Sequence, residues 1–210
     1  MTAPITHSRS PELMCSQDSA VLIVDVQEKL VPAIHDAHLL VGSLMRLVDG
    51  AKLLDVPVLA TEQYRKGLGP TVSPLLDRIG STPDEKLTFS CCGCPALMER
   101  LGQLERPNLL VVGIEAHVCV QQTVLDLLHA GFRVFVATDA VGSRRTTDLQ
   151  GALRRMETSG AILTTVESVL FEWCETAAAP RFKELSRLVK PPVEPVRVDL
   201  SEFVSKETMT

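Results

Sequence analysis

The sequence predicts a three-layer αβα fold on a doubly wound, mainly parallel sheet of six strands, in the Rossmann-like class. Three observations carry that expectation. Runs such as AVLIV and NLLVVGI are apolar without alternation, the pattern of strands buried on both faces. Other segments repeat their apolar residues at helical spacing. The two kinds alternate along 210 residues, 45% apolar and 22% charged, which is enough for one sizeable core.

Each element follows in order. AVLIVDVQ is an apolar strand ending in a carboxylate, Asp25. Leu40, Leu44, Leu47, Val48, Ala51 and Leu54 mark one face of a helix, and VPVLAT is the next strand, completing a βαβ unit. The turn-rich loop EQYRKGLGPTVSP leads through a short helical piece to EKLTFS, a short strand with Lys86 near its start. PALMERLGQL has proline at the first helical position, and NLLVVGI is a second fully buried strand. The next helix carries Cys119 where it should begin, puts Val120, Val124, Leu127 and Leu128 on one face, and stops near Gly131. RVFVATDA and AILTTVES supply two more strands around the helix TTDLQGALRRMETSG, and PRFKELSRLVK is a final helix. The boundaries read as an arm over 1–18, one domain over 19–190 and a proline-rich tail over 191–210.

Charge and composition narrow the partners. The formal charge of −5 is spread along the chain without a basic block, so nucleic acid is not an expected partner. The N-terminal stretch lacks a basic segment followed by an apolar one, and no apolar run is long enough to span a bilayer, so no membrane partner is expected. Six cysteines without the spacing of a secreted scaffold point to free thiols and a cytoplasmic location. CCGC, at Cys91 to Cys94, lacks the paired spacing of a zinc site, and neither metal nor cofactor is expected.

In a doubly wound sheet, ligands bind outside the carboxyl ends of the strands where strand order reverses. Asp25, Lys86 and Cys119 each follow or end a strand and so can converge at that rim. A helix N-terminus there would stabilise a thiolate and lower the Cys119 pKa from ~8.5 into a range of roughly 3.5 to 7.5. Asp25 would take the thiol proton and return it to a leaving group, and Lys86 would hold both anions. The turn GIEAHVC can present backbone N–H groups to an oxyanion. Gln63 and Tyr64, in the loop after the second strand, and His117, in the cysteine turn, are candidates to line the pocket for a small-molecule substrate. Singly, each residue has a plainer reading: packing for the cysteine, a helix cap for Asp25, a solvated strand end for Lys86.

LIVDVQEKL, PVLATEQYRKGLGPT, EKLTFSCCGCPAL, GIEAHVCVQQTVLDLL and DAVGSR together resemble the isochorismatase-like cysteine hydrolases, over about residues 19–190. Within that family the chain is most similar to small isochorismatase-domain hydrolases of undefined substrate. The resemblance implies an Asp25–Lys86–Cys119 triad, a cis peptide between Ile114 and Glu115, an oxyanion hole from the Glu115 and Cys119 amides, and a homo-oligomer. The nicotinamidase branch carries a metal site with closely spaced histidines after the second strand, where this chain reads TEQYRKGLGPT, without histidine. True isochorismatases do not need the cysteine that this chain keeps. The implied activity is therefore hydrolysis of an amide, carbamoyl or ester bond through a thioester. A thiol redox protein using Cys119 with Cys91 or Cys92, and a non-catalytic interaction protein on the same fold, are the alternatives.

Overall fold

Every residue of β1 (Ser19–Val24) and of β4 (Asn108–Ile114) is buried, because these apolar runs sit side by side at the centre of one sheet with helices over both faces. The computed structural model describes residues 9–190. The remaining strands are β2 (Val58–Gln63), β3 (Asp84–Lys86), β5 (Arg133–Gly142) and β6 (Ile162–Thr164). Their order is β3-β2-β1-β4-β5-β6, and every neighbouring pair is parallel. The chain winds outward from β1 to β3, returns to the centre at β4, and winds the other way. Strand order thus reverses between β1 and β4, which opens a crevice at their carboxyl ends.

The helices are α1 (Ala37–Leu53), α2 (Arg65–Leu68), α3 (Ser73–Ile79), α4 (Pro95–Leu104), α5 (Gln121–His129), α6 (Thr146–Thr158), α7 (Val166–Cys174) and α8 (Phe182–Val189). One core layer packs α1, α3, α7 and α8 on the sheet through residues such as Leu44, Leu47, Ile79, Leu170 and Leu185. The opposite layer joins α4, α5 and α6 through Leu97, Leu101, Val124, Leu127 and Met156. In α1 the buried residues Leu40, Leu44, Leu47, Val48 and Ala51 keep the spacing read from the sequence, whereas Leu54 falls past the helix end and is half-buried.

Three elements differ from their sequence reading. The expected strand AILTTVES stops at Thr164, because Thr165 caps a new helix with its hydroxyl, accepting from the Ser168 N–H at 3.3 Å. Val166, Val169, Leu170 and Trp173 then bury one face of α7, a helix the sequence reading did not separate. EKLTFS is strand only as far as Lys86, after which the backbone turns its carbonyls back toward the Lys86 ammonium. The cysteine helix proper begins at Gln121, behind a wide turn over Ala116–Val120 in which the Val120 N–H bonds the Glu115 carbonyl at 3.2 Å.

Residues 9–18 of the expected arm lie against α7: Met14 is fully buried and its N–H donates to Glu172 Oε2 at 2.8 Å. Residues 1–8 and the tail over 191–210 lie outside the described residues. Among those described, no helix is long and apolar enough to cross a membrane.

Candidate active site

β1 ends at Val24, and Asp25 turns the chain with φ 53°, a left-handed conformation that aspartate tolerates better than most side chains. Its N–H still bonds the Thr61 carbonyl of β2 at 3.2 Å, so its carboxylate is fixed over the crevice and is fully buried. On the other side, Gly113 of β4 pairs with Val24 at φ 114°. A Cβ there would stand 2.2 Å from the Val24 carbonyl oxygen, so only glycine lets the two central strands close on each other just below the site. The next peptide, Ile114–Glu115, is cis, and the turn that follows delivers Cys119 to the same crevice.

Lys86 arrives from the end of β3, opposite Gln63 in the parallel register. Its Nζ lies 2.6 Å from Asp25 Oδ2, 2.9 Å from Gln63 Oε1, 3.1 Å from the Thr88 carbonyl and 3.0 Å from that of Phe89. Three ammonium protons are thus shared among four acceptors. Both charges are out of water, with side chains 1% and 0% exposed, so their mutual attraction and these hydrogen bonds must offset a large desolvation penalty. The second carboxylate oxygen, Oδ1, accepts from the Thr61 hydroxyl at 2.8 Å. Thr61 and Gln63 are two residues apart on β2 and so share a face, one serving Asp25 and the other Lys86.

Cys119 is 6% exposed. Burial, and then the negative charge and hydrogen bond of Asp25, push its thiol well above the ordinary range, against the opposing pull of Lys86. This reverses the expectation of a lowered thiol pKa. The cysteine is not the first residue of a helix; it sits inside the turn, away from water and against a carboxylate. A neutral thiol beside a carboxylate that is locked by an ammonium can pass its proton to that carboxylate as the sulfur attacks.

The structure gives the other predicted residues distinct positions. Gln63 holds Lys86 and donates its amide to the Leu87 carbonyl at 2.8 Å. Tyr64 is 49% exposed at the rim, with its N–H on the Lys86 carbonyl at 2.9 Å. His117 Nδ1 is 3.0 Å from the hydroxyl of buried Ser143. The Glu115 side chain accepts from Arg144 N–H at 3.1 Å and Nε at 3.0 Å, so it is turned toward that loop. A groove of about 1110 Å³ runs between α1, the end of β5 and α8; it includes Ser143, the partner of His117, but Asp25, Lys86 and Cys119 do not line it. Thr61 and Thr123 were missed by the sequence reading, which weighed Cys91 only as a resolving thiol for Cys119. For Thr61 a signal existed in its two-residue spacing from Gln63. The carbonyls of Thr88 and Phe89 left none, since every residue has one.

The profile of the isochorismatase domain matches residues 19–168, from β1 into α7. The chain belongs to the isochorismatase family. Isochorismatase domain-containing protein 2A of Mus musculus is 43% identical over 178 residues, 84% of this chain and 85% of that protein. A solved structure described as the MAR1 ribonuclease of Caenorhabditis elegans superposes with a TM-score of 0.80 at 38% identity, covering 89% of this chain and 97% of that one. The YcaC gene product of Escherichia coli, described as an octameric hydrolase of unknown specificity, gives a TM-score of 0.80 at 25% identity over 86% of this chain and 91% of its own. Family membership thus puts the chain on a hydrolase-associated isochorismatase fold.

Proposed function

We propose that this isochorismatase-family protein is a cysteine hydrolase that cleaves an amide, carbamoyl or ester bond of a small molecule through a thioester on Cys119. The observation that carries the reading is the buried Asp25–Lys86 pair, at 2.6 Å, beside a buried thiol at the β1/β4 reversal. As the thiol sulfur adds to the substrate carbonyl, its proton passes to Asp25, and the oxyanion is met by the backbone N–H groups of Glu115 and Cys119. Collapse expels the leaving group, which takes the proton from Asp25 and leaves an acyl thioester. Asp25 then deprotonates a water that attacks the thioester, and the acid departs as the thiol regains its proton. Lys86 stays charged throughout and keeps Asp25 in place. Tyr64 and His117 line the approach, and Gln63 serves it through Lys86.

A ribonuclease description attaches to one solved relative, but the cations at this site favour a small neutral substrate over a phosphodiester. Lys86 and Arg144 are each already paired with a carboxylate, Asp25 and Glu115. The six free cysteines support a reducing, cytoplasmic setting. A homo-oligomer is expected, and a monomeric mass by light scattering at micromolar concentration would refute it.

The test is turnover of p-nitrophenyl esters and of a panel of small amides and carbamates, with intact-mass detection of an acyl adduct. The expected adduct maps to Cys119 and is absent in Cys119→Ala. Turnover that survives Cys119→Ala, or RNA cleavage that does so while small substrates are ignored, overturns the reading.

A further inference from the structure

CCGC is left unexplained by the triad, yet its first cysteine is fully buried within the site. Cys91 Sγ lies 3.5 Å from Thr61 Oγ1, the hydroxyl that bonds Asp25. Donor arithmetic decides the direction of this contact. A threonine hydroxyl has one proton, and a carboxylate held in an ion pair has none to give, so the Thr61 proton lies on Asp25 Oδ1. The thiol of Cys91 must then be the donor to Thr61 Oγ1.

The other end of Cys91 is tied as well. Its backbone N–H donates to Thr123 Oγ1 at 2.9 Å, and that hydroxyl donates to the Cys119 carbonyl at 2.7 Å. A ring of contacts therefore runs from the base through β2, the Cys91–Gly93 turn and α5 to the backbone of the nucleophile. Burial, and then the charge of Asp25, push the Cys91 thiol up to about 11, so it keeps the proton it donates. A buried thiol of that kind is a poor resolving partner for a disulfide, which argues against Cys91 in that role.

We propose that Cys91 is a positioning residue for the Asp25 base, acting through Thr61: its thiol orients the Thr61 hydroxyl and so fixes that proton on Asp25 Oδ1. The proposal rests on the hydrolase reading for what Asp25 does, but its hydrogen bonds can be tested apart from it. With Oδ1 held by Thr61 and Oδ2 by Lys86, the carboxylate cannot rotate, and one orientation faces Cys119.

Two readouts test this. The infrared difference between the wild type and Cys91→Ala isolates the Cys91 S–H stretch, which should move to higher frequency and weaken in Thr61→Val and stay in place in Cys119→Ser. A band unmoved by Thr61→Val overturns the relay, whatever Cys119 does. The second readout is the pH profile of Cys119 acylation by p-nitrophenyl acetate. Losing a donor to the carboxylate should move the acid limb up by about one pH unit in Thr61→Val. Cys91→Ala should move it the same way by less, and Thr61→Ser and Cys91→Ser should restore it. An acid limb that does not follow the hydroxyl and thiol donors overturns the positioning role. Failure of the hydrolase reading would appear differently, as wild-type Cys119 that is never acylated.

Discussion

Lys86 and Asp25 are each kept out of water by the other's presence, so neither can be removed alone without leaving a naked charge in the core. Lys86→Ala is expected to destabilise the fold by about 3–5 kcal/mol, and Asp25→Asn in the same chain to recover much of that loss. Urea midpoints of the single and double variants measure both, and additive losses would mean that the pair is not coupled. Asp25 has a second, opposite effect on Cys119. Its charge disfavours the thiolate, so in Asp25→Asn the alkaline midpoint of iodoacetamide alkylation at Cys119 should move to lower pH. On the proposed mechanism turnover should meanwhile fall by roughly 10²–10⁴, because Asp25 there carries the proton to the leaving group. A variant with an easier thiol and less activity would separate nucleophile ionisation from proton delivery.

At the scale of elements, the site depends on how closely β1 and β4 approach at their carboxyl ends. Gly113 permits that approach, and the atoms nearest an added Cβ are Val24 backbone, which has no flexible end to move aside. Gly113→Ala, at φ 114°, should lose about 3 kcal/mol or more and part the strand ends that carry Asp25 and the cysteine turn. Thermal unfolding of the variant and its Cys119 alkylation profile measure the two effects together. A variant with wild-type stability would show that β4 can shift to accept the methyl group. By contrast α7, anchored by Val169, Leu170 and Trp173, belongs to the far layer of the core and bears on the site only through the sheet.

Across the whole molecule, the buried thiols tie stability to pH. Cys91 is raised from 9.0 to about 11, and Cys119 is raised as well. The unfolded chain releases these protons at the ordinary value, whereas the folded chain holds them, so alkali favours unfolding. The stability is fully present below about pH 8, and it declines as the pH rises through 9 toward 11. For Cys91 alone the decline should reach about 2–3 kcal/mol. Urea midpoints between neutral pH and pH 11 should show it, with a shallower slope in Cys91→Ala. An identical slope in that variant would assign the alkaline loss to other groups.

The apolar runs of β1 and β4, the helical spacing in α1 and α5, and the positions of Asp25, Lys86 and Cys119 at or after strand ends were legible because each is a local pattern of residue type. Alternation of such patterns is enough to require a doubly wound sheet, and the sheet puts any chemistry at the strand ends. The sequence by itself therefore determined the fold class and the rim at which Asp25, Lys86 and Cys119 could converge. Only the tertiary structure decided the state in which they meet. The Cys119 pKa turned on burial and on a carboxylate far away in the chain, against the helix-terminus effect that local position suggested. The roles of Thr61, Cys91 and the Thr88 and Phe89 carbonyls arise where β2, β3, α5 and two turns come together, and hydrogen bonds between distant segments leave no local pattern to read.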